Sequence, residues 1–244
     1  ARDVVSGVRS ETGKEVRRVL TQKPKPSAPT DVSGGNWHYH SADFFASGKK
    51  SKFNDNVAAI RTLRTMALEG RTHATPAEQE ALSKYVGWGQ FKEVFSPYDM
   101  PSWRKEKDEL KSLLSSEEWQ SASDSTTNSH YTHPSIIQAH WDMAKRLGFK
   151  GGRYLEPAVG AGYYLGFMPQ DLRGNTRTTA VEMDRTTGSI AKALYPAANV
   201  AISPFQDHPT PDNFYDLVAT NVPFDGSVHP FDKRYRSEEH TSEL

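Results

Sequence analysis

The sequence contains no cysteine. That excludes disulfides and thiolate zinc sites, and it fits a cytoplasmic protein. Long apolar runs are also missing. None approaches the roughly 18 residues that a membrane-spanning helix needs, so no membrane partner is expected. The first residues show no charged-then-apolar leader pattern. An excess of one charge is the third absence. Thirty Lys and Arg face thirty Asp and Glu, for a formal net charge of +0. The global electrostatic footprint of a nucleic-acid binder is therefore lacking, and any such contact must be local or lie on another part of the protein. Mean hydropathy is −0.71, as expected of a polar chain. The 244 residues suffice for one large domain or two small ones.

What is present falls into four segments. Residues 1–33 mix charges with Pro24, Pro26 and Pro29 and read as a disordered linker. Residues 34–125 read as a helical region. Its first part is aromatic (Trp37, Tyr39, Phe44, Phe45, Phe53), and His38 and His40 stand two apart. On a strand that spacing puts both on one face, as a metal pair would be. No further ligand cluster follows, which favours a solvated loop and no metal. Helical periodicity runs over 54–69 through Val57, Ile60, Leu63 and Met66, and Gly70 suits its end. Arg61 and Arg64 fall on its polar side, as a solvated face or as phosphate contacts. Thr75-Pro-Ala-Glu78 is a capping box that opens a helix to about Val86. Trp88, between two glycines, reads as a packing anchor, with base stacking as the sharper alternative. A charged helix over 101–114 and a short one capped by Ser115 and Glu118 complete the region. Residues 126–235 switch to an α/β pattern. The last segment, 236–244, looks like translated sequencing-adapter read-through, which would make the chain a fragment open at both ends.

The α/β part is organised around Tyr154-Leu-Glu-Pro-Ala-Val-Gly-Ala-Gly162. A short buried strand ends in the acid Glu156, then Pro157, and runs into a glycine turn that lets backbone pass close to a ligand. Four strands are expected, at 153–156, 178–182, 199–202 and 216–220. Helices are expected at 163–172 and 186–194, with another opened by Pro134 and ended by Gly148. Alternation of this kind predicts a parallel, doubly wound sheet with its ligand at the carboxyl ends of the strands. Glu182 ends the second strand, where an acid can accept both hydroxyls of a ribose. Phe205-Gln-Asp207 follows the third, and Asn221-Val-Pro-Phe224 follows the fourth.

A dinucleotide suits this site poorly. Leu165 stands where its fingerprint wants the third glycine, and an acid before the glycines would repel pyrophosphate. S-adenosylmethionine, with a sulfonium, an ammonium and an adenosine, suits it better. Glycine turns and Asn-x-Pro turns also occur as plain loops, so the weight rests on the ordered set.

Glu156-Pro-x-x-Gly160-x-Gly162, with Tyr131-Thr-x-Pro134 before it and Asn221-x-Pro-Phe224 after it, resembles an N6-adenine DNA methyltransferase. The likeness is to the methylase region of the large methylase–helicase proteins of plasmids and phages. It runs from about Phe53 to Tyr235 and includes Tyr85-Val-Gly-Trp-Gly89 and Leu147-Gly-Phe-Lys-Gly-Gly152. The resemblance implies a Rossmann-like fold, S-adenosylmethionine as cofactor, DNA as partner and a helicase region in the same full-length chain. It implies that Tyr131 and Thr132 flank the methionine part of the cofactor. Glu156, Pro157, Gly160 and Gly162 would hold its amino-acid end, Glu182 its ribose and Asp207 its adenine amino group. Asn221, Pro223 and Phe224 would form the target-base pocket, with Val222 in place of the commoner proline. His130 and His133 border the site as helix-entry residues. Two alternatives stand beside this reading. One is a non-catalytic module that binds DNA or protein in a mobile-element defence or counter-defence protein. The other is the same chemistry on a protein glutamine or an RNA base.

Overall fold

The protein was analysed as a computed structural model that describes residues 35–41, 44–45, 48–127 and 131–222. The expected linker at 1–33, His130, Pro223, Phe224 and the tail at 236–244 lie outside the described residues. The described residues belong to one compact unit.

Four parallel strands form the sheet: β1 (Gly152–Glu156), β2 (Thr176–Glu182), β3 (Asn199–Ile202) and β4 (Leu217–Val218), in the order β3-β2-β1-β4. The chain steps outward from β1 to β3 and then returns to the other side of β1. The order therefore reverses between β1 and β4, and a crevice opens at their carboxyl ends. Register fixes what meets there. Leu155 lies beside Val218, so Glu156 and the residues after Val218 share one rim. This is the doubly wound α/β arrangement expected, with β4 shorter than the strand read at 216–220.

The helices are α1 (Lys49–Leu68), α2 (Pro76–Ser83), α3 (Lys92–Phe95), α4 (Arg104–Leu113), α5 (Ser116–Asp124), α6 (Pro134–Arg146), α7 (Tyr163–Gly166), α8 (Gln170–Arg173) and α9 (Arg185–Leu194). Both expected capping boxes form. Thr75 and Glu78 cap α2 reciprocally, and Ser115 and Glu118 cap α5. The single helix expected over 163–172 is split into α7 and α8. Pro169 between them has no N–H to donate and ends the run. The four residues of α3 are too few to show a periodicity and were not expected.

α9 explains how the helical region and the sheet become one body. It packs on β2 and β3 and also on α1 and α2. A helix covered on two sides has a wide apolar face: Thr187, Gly188, Ile190, Ala191, Ala193 and Leu194 are all buried, and Arg185 and Lys192 stay exposed. At Gly188 a Cβ would press on Ile202 of β3, so the small residue allows close helix–sheet approach. The compositional change near residue 125 is thus a change of layer inside one core. α6 covers β1 from Trp141, whose ring meets Tyr154 edge-on and whose Nε1 donates to the Tyr164 carbonyl at 3.0 Å.

The aromatic residues at 37–45 do not form a solvated loop. Tyr39 is buried and stacks on Phe167 at 4.7 Å, and its hydroxyl donates to the Ser83 carbonyl at 2.8 Å. Trp37 N–H donates to Leu194 and Tyr39 N–H to Gly166, which straps this segment across α7 and the end of α9. His38 sits half-buried, and burial pushes its pKa down to about 4. Among the described residues no cluster of three or more potential metal ligands occurs. Arg61 and Arg64 pair with Glu109 and Glu118 across to α4 and α5, rather than standing free for phosphate. Trp88 is buried among Phe53, Tyr85, Phe91 and Phe95, which settles it as a packing residue. No helix among the described residues is long and apolar enough to cross a membrane.

Tyr39 provides a test of the strap. Tyr39→Ala should cost about 3–5 kcal/mol of unfolding free energy, as truncation of a buried aromatic does. Tyr39→Phe should cost about 1 kcal/mol, because it removes one hydrogen bond to a buried carbonyl. Urea unfolding measures both. A loss below about 1 kcal/mol for the alanine variant would contradict the strap, since exposed positions lose no more than that.

Candidate functional site

Four segments meet at the crevice between β1 and β4. The first is the turn after β1. Glu156 is almost wholly buried, and the Tyr154 hydroxyl lies 3.1 Å from its Oε2 and 2.8 Å from the Ala219 carbonyl. The Tyr154 hydroxyl therefore bridges the ends of β1 and β4. Burial raises the Glu156 pKa well above the carboxylate range, and the nearby Glu182 pushes it further the same way. Burial thus favours the neutral form of Glu156, and a cation beside it would favour the carboxylate.

The glycine turn follows. Gly160 (φ +56°) and Gly162 (φ +84°) both have left-handed backbones that favour glycine. Their surroundings differ. A Cβ on Gly162 would overlap the Tyr195 ring, so this glycine serves packing as well as the turn. A Cβ on Gly160 would stand 3.2 Å from the Tyr131 ring. Gly160 therefore meets the segment before α6, as the site reading requires of Tyr131. Thr132 lies next to it, half-buried, and the Tyr164 hydroxyl of α7 pairs with His140 Nδ1 of α6 at 2.7 Å. Pro157 occupies the turn itself, half-buried. His133 caps α6 through Ser135, which is the helix-entry role expected of it.

Glu182, at the end of β2, spans two loops. Its Oε2 accepts from Gly160 N–H at 2.9 Å and its Oε1 from Asp184 N–H at 2.9 Å. Burial raises its pKa, Asp184 adds to the shift, and the backbone donors oppose it. The groups that shift Glu156 and Glu182 most include no lysine or arginine. The crevice floor is acidic and disfavours phosphate.

The third and fourth segments come from the ends of β3 and β4. Asp207 closes a single 3₁₀ turn (Phe205–Asp207) and is exposed, as is Phe205. Ser203 N–H donates to the Glu182 carbonyl at 3.0 Å, which draws the start of this loop to the end of β2. After β4, the Thr220 hydroxyl oxygen is buried without a hydrogen-bond partner, and Asn221 follows it, half-buried. A buried hydroxyl left unpaired is costly, and its place at the switch point suits a polar ligand. Of the expected target-base pocket, only Asn221 is described, three residues after β4 and half-buried. Pro223 and Phe224 lie outside the described residues.

Three contributors were missed in the sequence. Tyr154 looks like a plain strand aromatic. Thr220 looks like the last residue of a strand. Asp184 caps α9 by accepting from Thr187 N–H at 2.7 Å, and it also accepts from Ser121 of α5 at 2.7 Å. An aspartate just before a helical run is a legible cap, but its partner 63 residues away is not. A separate cleft of about 420 Å³ opens at the amino ends of the strands, lined by Gly152, Arg153, Asn175, Arg177 and Asp216. There Arg153 and Asp216 pair with each other, and the carboxyl ends of the strands lie at the other edge of the sheet.

No family model matches the chain. Over 135 residues, 54% of the chain, it is 31% identical to the "Defense against restriction protein B" of Escherichia phage P1. That stretch is 6% of the phage protein, so the chain spans a small part of its curated relative. Among solved structures it is similar to a Listeria monocytogenes protein assigned to the class I S-adenosylmethionine-dependent methyltransferases. Identity there is 15%, coverage is 78% of this chain and 65% of that one, and the TM-score is 0.37. At that score the likeness is partial. The assignment of a Rossmann-like α/β sheet rests on the strand order and parallel register.

Gly162→Ala should lower stability by about 2–4 kcal/mol, from backbone strain and overlap with the Tyr195 ring. Gly174→Ala, at an ordinary φ of −71° with open space around it, should stay within about 0.5 kcal/mol of the parent. Thermal unfolding of both variants separates a demanded glycine from a tolerated one. Equal losses would contradict the packing described.

Proposed function

We propose that this chain carries the cofactor half of an S-adenosylmethionine-dependent methyltransferase site, acting on the N6 amino group of adenine in DNA. The observation that carries the reading is the switch-point crevice. There the buried Glu156 and the glycine turn follow β1, Glu182 ends β2 and accepts from Gly160 N–H, and Asn221 follows β4 in sequence. DNA as acceptor, and a helicase region in the same full-length chain, belong to the proposal and follow from the resemblance.

The residues present fit the cofactor. Glu156 would meet the ammonium, giving up its proton as the cation arrives. The turn at Gly160 and Gly162 would let the amino-acid end lie against backbone. Glu182 uses one lone pair on each oxygen for backbone N–H groups, and a carboxylate has about four acceptor sites, so two ribose hydroxyls can still be accepted. Asp207, exposed after β3, would accept from the adenine amino group. The bound cofactor supplies an activated methyl group, so the protein's task is positioning.

Asn221 acts on the acceptor. An adenine amino nitrogen is weakly nucleophilic because its lone pair is delocalised into the ring. The Asn221 side-chain carbonyl and a backbone carbonyl of the Val222-Pro223 turn would accept its two hydrogens and aim the lone pair at the methyl group. The proline fixes that turn. Phe224 would give a flat face to a base taken out of the duplex, as chemistry on that atom requires. The likeness to a phage protein named for defence against restriction supports a DNA-directed role, because restriction acts on DNA.

Two outcomes test this reading. Because burial raises the Glu156 pKa in the free protein and a cation favours its carboxylate, binding should release a proton. Affinity for S-adenosylmethionine should therefore rise with pH above the ordinary carboxylate range, and Glu156→Gln should flatten the profile. Isothermal titration at each pH measures it, and a flat profile for the parent chain would contradict the role of Glu156. In the full-length chain, transfer of labelled methyl to DNA should yield N6-methyladenine. Asn221→Ala should reduce it by about 100-fold or more with KM for the cofactor nearly unchanged. Label in protein or RNA but not in DNA would overturn the acceptor.

A further inference from the structure

We propose that Asn56, in the middle of α1, is a positioning residue for the cofactor crevice: it sets the Tyr131 ring against the glycine turn. The inference rests on the cofactor reading above and assigns the helical layer a part in that site.

Asn56 is fully buried on a helix whose buried face is otherwise formed by Phe53, Val57, Ala59, Ile60 and Met66. A polar side chain in that stripe needs partners. It finds both on one peptide segment. Its Nδ2 donates to the Gly87 carbonyl at 2.6 Å, and its Oδ1 accepts from Val86 N–H at 2.8 Å. The amide thus grips the backbone of Tyr85-Val-Gly-Trp-Gly89 as a paired strand would. Tyr163, the first residue of α7, holds the same segment from the sheet side, where its hydroxyl donates to the Tyr85 carbonyl at 3.1 Å.

What the gripped segment touches gives the clamp its consequence. Gly87 (φ +66°) lies so close to Tyr131 that a Cβ would overlap Cε2 of the ring. The opposite ring edge, Cε1, faces Gly160, where a Cβ would stand 3.2 Å away. Tyr131 is therefore wedged between two glycines, one from the helical layer and one from the cofactor turn, with the Tyr163 ring 4.8 Å away. Gly160 is in turn fixed by Glu182. Asn56 reaches the turn through Gly87 and Tyr131 without touching a ligand.

A purely structural buried asparagine would lower stability when replaced but would leave the distant turn alone. Amide hydrogen exchange on the whole chain, without ligand, separates the two roles. Asn56→Asp keeps the acceptor for Val86 and loses the donor to Gly87. Gly87→Ala leaves Asn56 intact and displaces Tyr131 directly. Both should speed exchange about 10-fold in peptides spanning 131–134 and 158–163, with β3 unchanged. Both should also weaken S-adenosylhomocysteine binding about 10-fold by titration at a temperature where circular dichroism shows them folded. Added to Tyr131→Ala, Asn56→Asp should cause no further loss, since residues acting through one another are not additive. Faster exchange confined to 84–89, or spread evenly over the chain, would overturn the proposal, as would additive losses. If the parent chain fails to bind S-adenosylhomocysteine, the cofactor reading falls, and the exchange pattern still decides whether Asn56 positions the turn.

Discussion

The Glu182 carboxylate holds the crevice together. One oxygen takes the N–H of Gly160 and the other takes the N–H of Asp184. The turn after β1 and the loop after β2 are thereby fixed to each other at the carboxyl edge of the sheet. Asp184 passes the constraint on by capping α9 and accepting from Ser121 of α5. Gly160 passes it on through the Tyr131 ring to Gly87 and Asn56. α9 packs on α1, which carries Asn56, so the path closes into a ring. Few of these links are strong alone, for a typical hydrogen bond contributes about 1 kcal/mol net. Closed into a ring of buried groups, they restrain one another.

The acidity of the crevice follows from the same geometry. Glu156 is buried and Glu182 half-buried at the ends of adjacent strands, and each is pushed towards its neutral form. Such a floor offers phosphate no cation to pair with, and its acids can ionise beside an incoming cation and accept from hydroxyl donors. That combination separates an adenosine bearing a sulfonium and an ammonium from a dinucleotide, which would want an N-terminal nest without carboxylates. Thr220, whose buried hydroxyl oxygen lacks a partner, adds a polar contact on the β4 side.

Much of this frame could be read from the sequence. The two capping boxes, the proline and glycine punctuation and the strand–helix alternation each have a local cause, and each appears where expected. The positions of Glu156, Gly160, Gly162, Glu182 and Asn221 at or after strand ends were legible because strand–helix alternation predicts parallel strands whose carboxyl ends lie along one edge. The rest depended on partners far away in sequence. Tyr39 carries no periodicity, so its stacking on Phe167 could not be foreseen. Asn56 is polar, yet its place three after Phe53 and four before Ile60 puts it on the apolar stripe. That mismatch was the available signal. Pro169 inside an expected helix was another, and it marks where α7 ends.

The central claim is that Glu156 and Glu182 divide one ligand between them, the first taking its ammonium and the second its ribose. A crystal structure of the chain with S-adenosylhomocysteine tests this most directly. The account predicts the ligand amino group within about 3 Å of a Glu156 oxygen and both ribose hydroxyls within that distance of Glu182, the range of charge-assisted hydrogen bonds. A ligand bound elsewhere, or one whose amino group faces away from Glu156, would contradict it.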